Sequence, residues 1–255
     1  MGATNLEVGS VLRWLGARAR REVFERLISA DARRLSQERL TYLAPERLYR
    51  IERAIGAVDR ASVPGDFVEF GVALGGSAIL ASRRLSGSRR FLGFDVFGMI
   101  PPPGSSDGDD ARRRYDVITS GGSKGIGGDT YYGYVDDLLG RVRRSFDRFG
   151  IPADGERVCL VPGLFEETIP RHLALPVAFA HVDCDWYDPV KLCLAGLGRT
   201  LSPGGMLIVD DYSDYEGCHR AVDEFLAAHR DFEIVSVRPS LLIQRRVEMA
   251  TAHAS

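Results

Sequence analysis

Five short apolar runs recur along the chain between residues 67 and 210, each five to seven residues long. Continuous apolar runs of this length are typical of strands that are buried on both faces of a parallel sheet. Segments of helix length separate them, among them the amphipathic stretch 134–150. This alternation predicts a doubly wound α/β sheet. The five predicted strands cover 67–71, 91–95, 157–161, 177–183 and 206–210.

Two further apolar runs close the pattern, at 232–238 and 241–246, with only Pro239 and Ser240 between them. Parallel neighbours need a crossover of a dozen or more residues, so these two runs must form an antiparallel hairpin. Six parallel strands with a seventh that is reversed by a terminal hairpin are the layout of a Rossmann-like class I methyltransferase fold. A nicotinamide-binding domain lacks this hairpin.

Two regions extend this core. Residues 11–62 carry helical spacing and predict two or three extra helices before the first strand. Residues 99–134 are rich in Gly, Ser, Asp and Pro. A long insertion after a strand's carboxyl end favours an active-site lid over disorder. We expect residues 1–255 to form a single domain with these two additions.

Composition narrows the class of protein. The chain has 45% hydrophobic and 27% charged residues and a formal net charge of −2, so it lacks the basic surface that nucleic-acid binding requires. No apolar run approaches the roughly 20 residues needed to span a bilayer. The four cysteines lack CxxC spacing, which favours buried reduced thiols in the cytoplasm over a zinc site. The apolar N-terminal helices are compatible with self-association, so a homo-oligomer is one state that the sequence allows.

The first predicted strand ends in a glycine-rich turn with the spacing E-x-G-x-x-x-G-G-S, from Glu69 to Ser77. Its glycines permit a tight turn and a close approach of a ligand to the backbone. Free N–H groups at the start of the following helix favour an anionic group. A purely structural turn is an equally good reading of this signal alone.

Asp95 ends the second predicted strand, 26 positions after Glu69. An acidic side chain there can accept both ribose hydroxyl protons of an adenosine, although an Asp also caps turns. The turn and the acid together predict an adenosine-type ligand. Phe165 is a candidate neighbour of the adenine, with a place in the core as its alternative.

Carboxylates follow the fourth and fifth predicted strands. The fourth ends in His181-Val182-Asp183-Cys184-Asp185 and the fifth in Asp210-Asp211-Tyr212. Carboxylates that converge at one edge of the sheet repel each other unless a cation neutralises them. Oxygen ligands predict Mg²⁺, or else Mn²⁺ or Ca²⁺. Turn capping is the competing interpretation, and we expect His181 and His219 to be structural.

These motifs together resemble one family. The runs VPGDFVEFGVALGGSA, LVPGLFEETIP, HVDCDWYDP, LSPGGMLIVDDY and GCHRAVDEF, preceded by TYLAPERLYRI, are similar to the macrocin O-methyltransferase (TylF-like) family. The resemblance extends from about Thr41 to Phe225. It implies an S-adenosylmethionine-dependent, metal-assisted enzyme of bacterial antibiotic biosynthesis that methylates a hydroxyl of a nucleotide sugar or a glycosylated natural product.

The resemblance also assigns roles to residues. It places the metal ligands at Asp183, Asp210 and Asp211, with Asp183 also as, or beside, the general base and Asp185 in support. Thr41 and Tyr42 fall where the family closes over the cofactor. The cofactor turn and the ribose-binding acid fall on Glu69, Gly71, Gly75, Gly76, Ser77 and Asp95.

Residues 103–134 follow no pattern of the family, so the resemblance does not identify the acceptor. It also does not identify a base in the lid, for which the candidates are Asp129, Tyr131 and Tyr132. Three other functions are alternatives to sugar O-methylation. A phenolic or catechol-like acceptor uses a similar carboxylate cluster. A dinucleotide enzyme is disfavoured by the missing G-x-G-x-x-G, and a non-catalytic binding protein is disfavoured by the intact carboxylates.

Overall fold

A computed structural model describes residues 16–173 and 176–247. Seven strands form one sheet in the order β3-β2-β1-β4-β5-β7-β6. β1 to β5 are mutually parallel, and β7 is antiparallel to both β5 and β6. The strands are β1 Asp66–Phe70, β2 Phe91–Asp95, β3 Val158–Pro162, β4 Val177–Val182, β5 Leu201–Val209, β6 Phe232–Ser236 and β7 Leu241–Arg245.

This topology confirms the predicted methyltransferase-type fold, including the terminal hairpin. One boundary differs from the prediction by more than two residues, because β5 begins at Leu201 rather than at residue 206. Leu201 pairs with Val177, and a register shift between Val177 and Phe179 absorbs the extra residues. The Pro203-Gly204-Gly205 stretch therefore belongs to an irregular strand and is not a turn before it.

In β1 and β2, side chains on the two faces of the sheet enter two different hydrophobic clusters. In β1, Phe67 packs into the first cluster and its neighbours Val68 and Phe70 into the second. Because successive strand side chains point to opposite faces, the sheet is buried on both sides. This explains why the strands are continuous apolar runs without alternation.

Helices cover these two faces. The first cluster is completed by α2 to α4 and α6, and the second by α7 to α9, while α1 packs on α3 without a buried side chain of its own. The helices are α1 Ala17–Leu27, α2 Ala30–Gln37, α3 Pro45–Arg60, α4 Gly76–Ser82, α5 Asp109–Thr119, α6 Leu138–Arg148, α7 Phe165–His172, α8 Tyr187–Thr200 and α9 Glu216–Ala228.

The predicted N-terminal helical region contains α1, α2 and α3, and its positions 11–15 lie outside the described residues. The segment 99–134, for which we favoured a lid over disorder, is called the lid segment below. It contains α5 and two short 3₁₀ turns at Ile126–Gly128 and Tyr132–Tyr134. None of the helices formed by the described residues is long and apolar enough to cross a membrane.

Candidate functional site

The glycine-rich turn joins the end of β1 to α4 through backbone that favours glycine. Gly71 and Gly75 have φ of 89° and 88°, a region that side chains with a Cβ rarely adopt. A Cβ on Gly71 would lie 1.8 Å from the Asp183 carbonyl oxygen. The turn therefore packs directly against the residue that follows β4, and no larger side chain fits between them.

Asp95 holds this turn in place from the end of β2. Its Oδ2 accepts hydrogen bonds from the N–H groups of Val72 and Ala73, at 2.7 and 2.9 Å, and its Oδ1 accepts one from Phe97 at 2.6 Å. Burial raises the pKa of the Asp95 carboxyl, and the three N–H groups oppose that shift. The predicted ribose-binding acid is thus a fixed part of the turn that also lines a cavity.

This cavity has a volume of about 210 Å³ and lies at the carboxyl ends of the strands, where doubly wound folds bind ligands. Three of the predicted site residues line it: Gly71, Asp95 and Asp183. Phe165 lines it as well and packs edge-on against Phe70, at 5.7 Å between ring centroids, so it has both of its predicted environments. Trp186 and Tyr132 contribute further aromatic walls.

The other predicted cofactor residues surround the turn without lining this cavity. Ser77 is buried on α4. A Cβ on Gly76 would lie 2.7 Å from Thr41 Cβ, so the segment before α3 rests on the turn. Tyr42 is 47% exposed and packs against Tyr132 at 6.0 Å.

Glu69 faces a partner that its motif did not suggest. Its Oε1 lies 2.7 Å from His181 Nδ1 across β1 and β4, and both side chains are almost fully buried. Burial lowers the pKa of His181, but the neighbouring carboxylates of Asp210 and Glu69 outweigh it and raise that pKa to about 10. His181 is therefore a buried cation below the acidic residues and more than the packing residue we expected.

The carboxylates of Asp183, Asp210 and Asp211 converge at the ends of β4 and β5. One oxygen from each lies within 4.8 Å of the others. Backbone pairing fixes this arrangement, because the Asp183 N–H donates to the Phe70 carbonyl and the Asp210 N–H to the Val182 carbonyl, both at 2.9 Å. The predicted convergence of these strand ends is present.

Burial and mutual repulsion act on these acids. Burial and the charge of Asp210 raise the pKa of Asp183 to about 8. Burial, followed by the charges of Asp185 and Asp183, raises the pKa of Asp211 well above its usual range. Burial raises the pKa of Asp185 to about 6, although Arg114 opposes that shift. The cluster therefore favours any cation that enters it.

One cation is already present as a side chain. Arg47 of α3 forms an ion pair with Asp210 Oδ2 and donates a second hydrogen bond to Asp214 Oδ2 at 2.8 Å. The other oxygen of Asp210, Oδ1, is buried and has no hydrogen-bond partner in the described part of the chain. Sequence reasoning missed Arg47, because the spacing of α3 does not mark one arginine among several.

The lid segment is fixed to the helices beside the site. The buried Asp107 accepts hydrogen bonds from the N–H groups of Tyr187, at the start of α8, and Gly104, both at 2.8 Å. Trp186 Nε1 donates to the Pro101 carbonyl at 2.9 Å. The Glu216 N–H of α9 donates to Asp110 Oδ2 at 2.8 Å. The segment thus forms a wall of the cavity, as a lid would.

The candidate bases of the lid segment are poorly suited to the role. Burial raises the pKa of Tyr131. Burial and the charge of Tyr131 raise the pKa of Tyr132 well above the usual range of a phenol. Asp129 forms an ion pair with Arg39 at 3.3 Å, and both side chains are about half exposed. The carboxylate cluster therefore holds the better candidates for a base.

Comparison with known proteins points to one family. Residues 16–234 match the family model of macrocin O-methyltransferase (TylF). A Streptomyces olivaceus protein, the 8-demethyl-8-(2,3-dimethoxy-alpha-L-rhamnosyl)-tetracenomycin-C 4'-O-methyltransferase, is 29% identical over 196 residues, 72% of this chain and 67% of the relative.

Solved structures agree with this likeness. The O-methyltransferase NovP is 28% identical and has a TM-score of 0.68 over 81% of this chain and 82% of its own. The methyltransferase PaMTH1 of Podospora anserina, solved with S-adenosylhomocysteine bound, has a TM-score of 0.56 at 14% identity over 95% and 97% of the two chains. That identity supports a shared fold alone.

Proposed function

Since the chain belongs to the macrocin O-methyltransferase family, we propose that it transfers the methyl group of S-adenosylmethionine to a sugar hydroxyl. The acceptor is a nucleotide sugar or a glycosylated natural product of bacterial secondary metabolism. The observation that carries this proposal is a cavity lined by Gly71, Asp95 and Asp183 at the carboxyl ends of β1, β2 and β4. The cavity brings a cofactor turn and a strongly acidic centre together.

The adenosine part of the cofactor suits the wall that Asp95 and Phe165 form. Asp95 retains acceptor capacity for ribose hydroxyls after its three backbone hydrogen bonds. The Phe165 ring offers a face to the adenine. Thr41 lies against Gly76 of the turn that also contains Gly75 and Ser77, and Tyr42 packs against Tyr132 of the cavity wall. Glu69 acts through His181, which it contacts directly.

We further propose that Asp183, Asp210 and Asp211 hold a divalent cation. Three carboxylates within 4.8 Å are a donor set for a hard ion such as Mg²⁺, and the buried Asp210 Oδ1 accepts no hydrogen bond in the part of the chain described. Arg47 occupies only the opposite oxygen of Asp210. Such an ion supplies Lewis acidity that makes a sugar hydroxyl easier to deprotonate.

Asp183 is the proposed general base, with Asp185 in support. Both carboxylates line the cavity in which the acceptor hydroxyl would lie, so each is within reach of a proton that leaves that hydroxyl. The lid segment would exclude water from the reaction and hold the acceptor hydroxyl near the methyl group.

Calorimetry and a methyl-transfer assay test this proposal. Wild-type protein should bind S-adenosylhomocysteine, and Mn²⁺ should bind wild type but bind D210N and D211N at least about tenfold more weakly. D109N is the matched control, because Asp109 lies on the exposed face of α5. Formation of S-adenosylhomocysteine is then measured with nucleotide sugars, glycosylated aglycones and phenols. Wild-type Mn²⁺ affinity in D210N would exclude the metal site, and transfer to phenols alone would exclude the sugar acceptor.

A further inference from the structure

Asp188 lies in the first turn of α8 and lines the cavity, but the proposed reaction gives it no role. The residue is exposed, and within the described ranges no hydrogen bond or ion pair reaches its carboxylate. An acid in the first turn also stabilises a helix, which is the structural alternative for this residue. Its contacts inside the cavity favour a different role.

The carboxylate of Asp188 lies directly against the lid segment. A Cβ on Gly104 would lie 2.3 Å from Asp188 Oδ2, so only a glycine leaves room for this oxygen in its position. The buried Asp107 fixes the spacing, because it accepts hydrogen bonds from the N–H groups of both Tyr187 and Gly104, at 2.8 Å each. Asp188 is therefore held where α8 meets the wall that we propose for the acceptor.

The surroundings of Asp188 suit a polar molecule that also has apolar faces. The rings of Trp186 and Tyr132 and the prolines Pro101 and Pro102 line the same cavity. Trp186 Nε1 already donates to the Pro101 carbonyl at 2.9 Å, so what its ring offers to a ligand is apolar surface. A sugar ring presents C–H groups that pack on such a surface and hydroxyls that need hydrogen-bond partners at its edge.

The charges of the cavity define what Asp188 can bind. The charged side chains that line it are all acids: Asp95, Glu166, Asp183, Asp185 and Asp188. Asp95 belongs to the cofactor turn, Glu166 follows the proposed adenine neighbour, and Asp183 and Asp185 serve the metal and the proton in the proposed reaction. An ionised carboxylate accepts hydrogen bonds and donates none, so the partner of Asp188 must carry a donor. On a sugar that donor is a hydroxyl.

We propose that Asp188 accepts a hydrogen bond from a second hydroxyl of the acceptor sugar, one that is not methylated. This inference rests on the proposed methyl transfer to a sugar and adds a residue that recognises the acceptor. Asp188 determines specificity and takes no part in the chemical step. Its loss should raise the KM for the acceptor by at least about tenfold and leave kcat nearly unchanged.

Saturation-transfer NMR with the 4-nitrophenyl glycosides of glucose, mannose and rhamnose tests the inference. The protein is saturated with S-adenosylhomocysteine, so that no methyl transfer takes place. Wild type should bind at least one glycoside, and D188A should bind it at least about tenfold more weakly. D188N keeps an acceptor oxygen without the charge, so its affinity should lie between the two.

A second variant, G104A, should weaken binding without removing the carboxylate. The new methyl group would displace Asp188 Oδ2, whereas its distance of 3.8 Å from Asp107 Oδ2 is an ordinary contact. The anchor of the lid segment therefore stays in place while Asp188 moves. E167A is the matched control, because Glu167 is an exposed first-turn acid of α7 that does not line the cavity. This control should retain wild-type affinity.

Monodeoxy derivatives of the best-bound glycoside separate recognition from helix stability. One derivative should bind wild type as weakly as the parent glycoside binds D188A, and D188A should not distinguish that derivative from the parent. Equal binding of the parent by wild type and D188A overturns the inference and leaves the proposed methyl transfer standing, as does a difference that persists with every derivative. Wild type that binds S-adenosylhomocysteine but no glycoside overturns the inference together with the sugar acceptor. Failure to bind S-adenosylhomocysteine would count against the methyl transfer itself.

Discussion

Glu69 and His181 form a buried ion pair that joins β1 to β4, with Oε1 and Nδ1 2.7 Å apart. Each side chain is only 2% exposed. The pair lies below the carboxylate cluster, and His181 Nε2 is 4.0 Å from Asp210 Oδ1. The glutamate of the cofactor turn thereby orients the cation that stands next to a proposed metal ligand.

The variant E69Q should lose the stabilisation that the Glu69–His181 pair gives to the folded protein. Removing one charge of a buried pair leaves the other uncompensated, which costs about 3–5 kcal/mol in the free energy of unfolding. The pKa of His181 should fall at the same time, because a raising neighbour is gone. Urea denaturation measures the first effect and imidazole NMR the second. E224Q, at an exposed ion pair with Lys191, is the control and should unfold like wild type.

Replacement of Arg47 tests the role of the second positively charged side chain beside Asp210. R47Q leaves the buried Asp210 without its ion pair, so the unfolding free energy should fall by about 2–3 kcal/mol. A divalent cation would neutralise Asp210 instead, so Mg²⁺ should raise the melting temperature of R47Q more than that of wild type. R84Q, at the more exposed pair with Glu52, provides the comparison. Equal Mg²⁺ effects in R47Q and wild type would show that Arg47 and the ion do not share this carboxylate.

The close contact at Gly71 predicts a steep effect of a single methyl group. G71A would place a Cβ 1.8 Å from the Asp183 carbonyl oxygen at a φ of 89°, so the ends of β1 and β4 must separate. We expect a loss of about 4 kcal/mol or more in stability, together with loss of S-adenosylhomocysteine binding. G87A isolates the backbone effect, because Gly87 also has positive φ but open space around it. That control should lose only about 1 kcal/mol.

The raised pKa of Asp183 predicts how stability depends on pH in the metal-free protein. In the unfolded chain this carboxyl loses its proton near pH 4, whereas in the folded protein it keeps it up to about pH 8. The unfolded state therefore binds fewer protons between these values, and stability falls as pH rises, by up to about 1.4 kcal/mol per pH unit. D183N should show a flatter profile by thermal denaturation from pH 5 to 8.

Metal binding should have the opposite dependence, because a carboxylate must be deprotonated to bind a cation. The affinity for Mn²⁺, measured by calorimetry, should rise between pH 6.5 and 8.5 as Asp183 ionises. An affinity that stays constant over this range would contradict the role of Asp183 as a ligand.

The sequence predicts the strands and the acidic strand ends well, because both depend on local composition. Buried parallel strands are apolar throughout, and the aspartates follow them directly. Arg47 could not be found in this way, since it reaches Asp210 from a helix 163 residues away in the chain. The partner of Glu69 was missed for the same reason: β1 and β4 become neighbours only when the sheet is assembled.

The anchoring of the lid segment can be tested at Asp107, a residue that no motif marked. D107A removes the acceptor of two backbone N–H groups, those of Tyr187 and Gly104, and leaves both unsatisfied, at about 1–3 kcal/mol each. Because Asp107 lies outside the cofactor turn, the loss should open the segment locally. Limited proteolysis within 99–134 should become faster and the KM for the acceptor should rise, while the affinity for S-adenosylhomocysteine changes little. D109N, on the exposed side of the same segment, should behave like wild type in all three measurements. Unchanged proteolysis of D107A would mean that the bonds of Trp186 and Glu216 hold the lid segment without it.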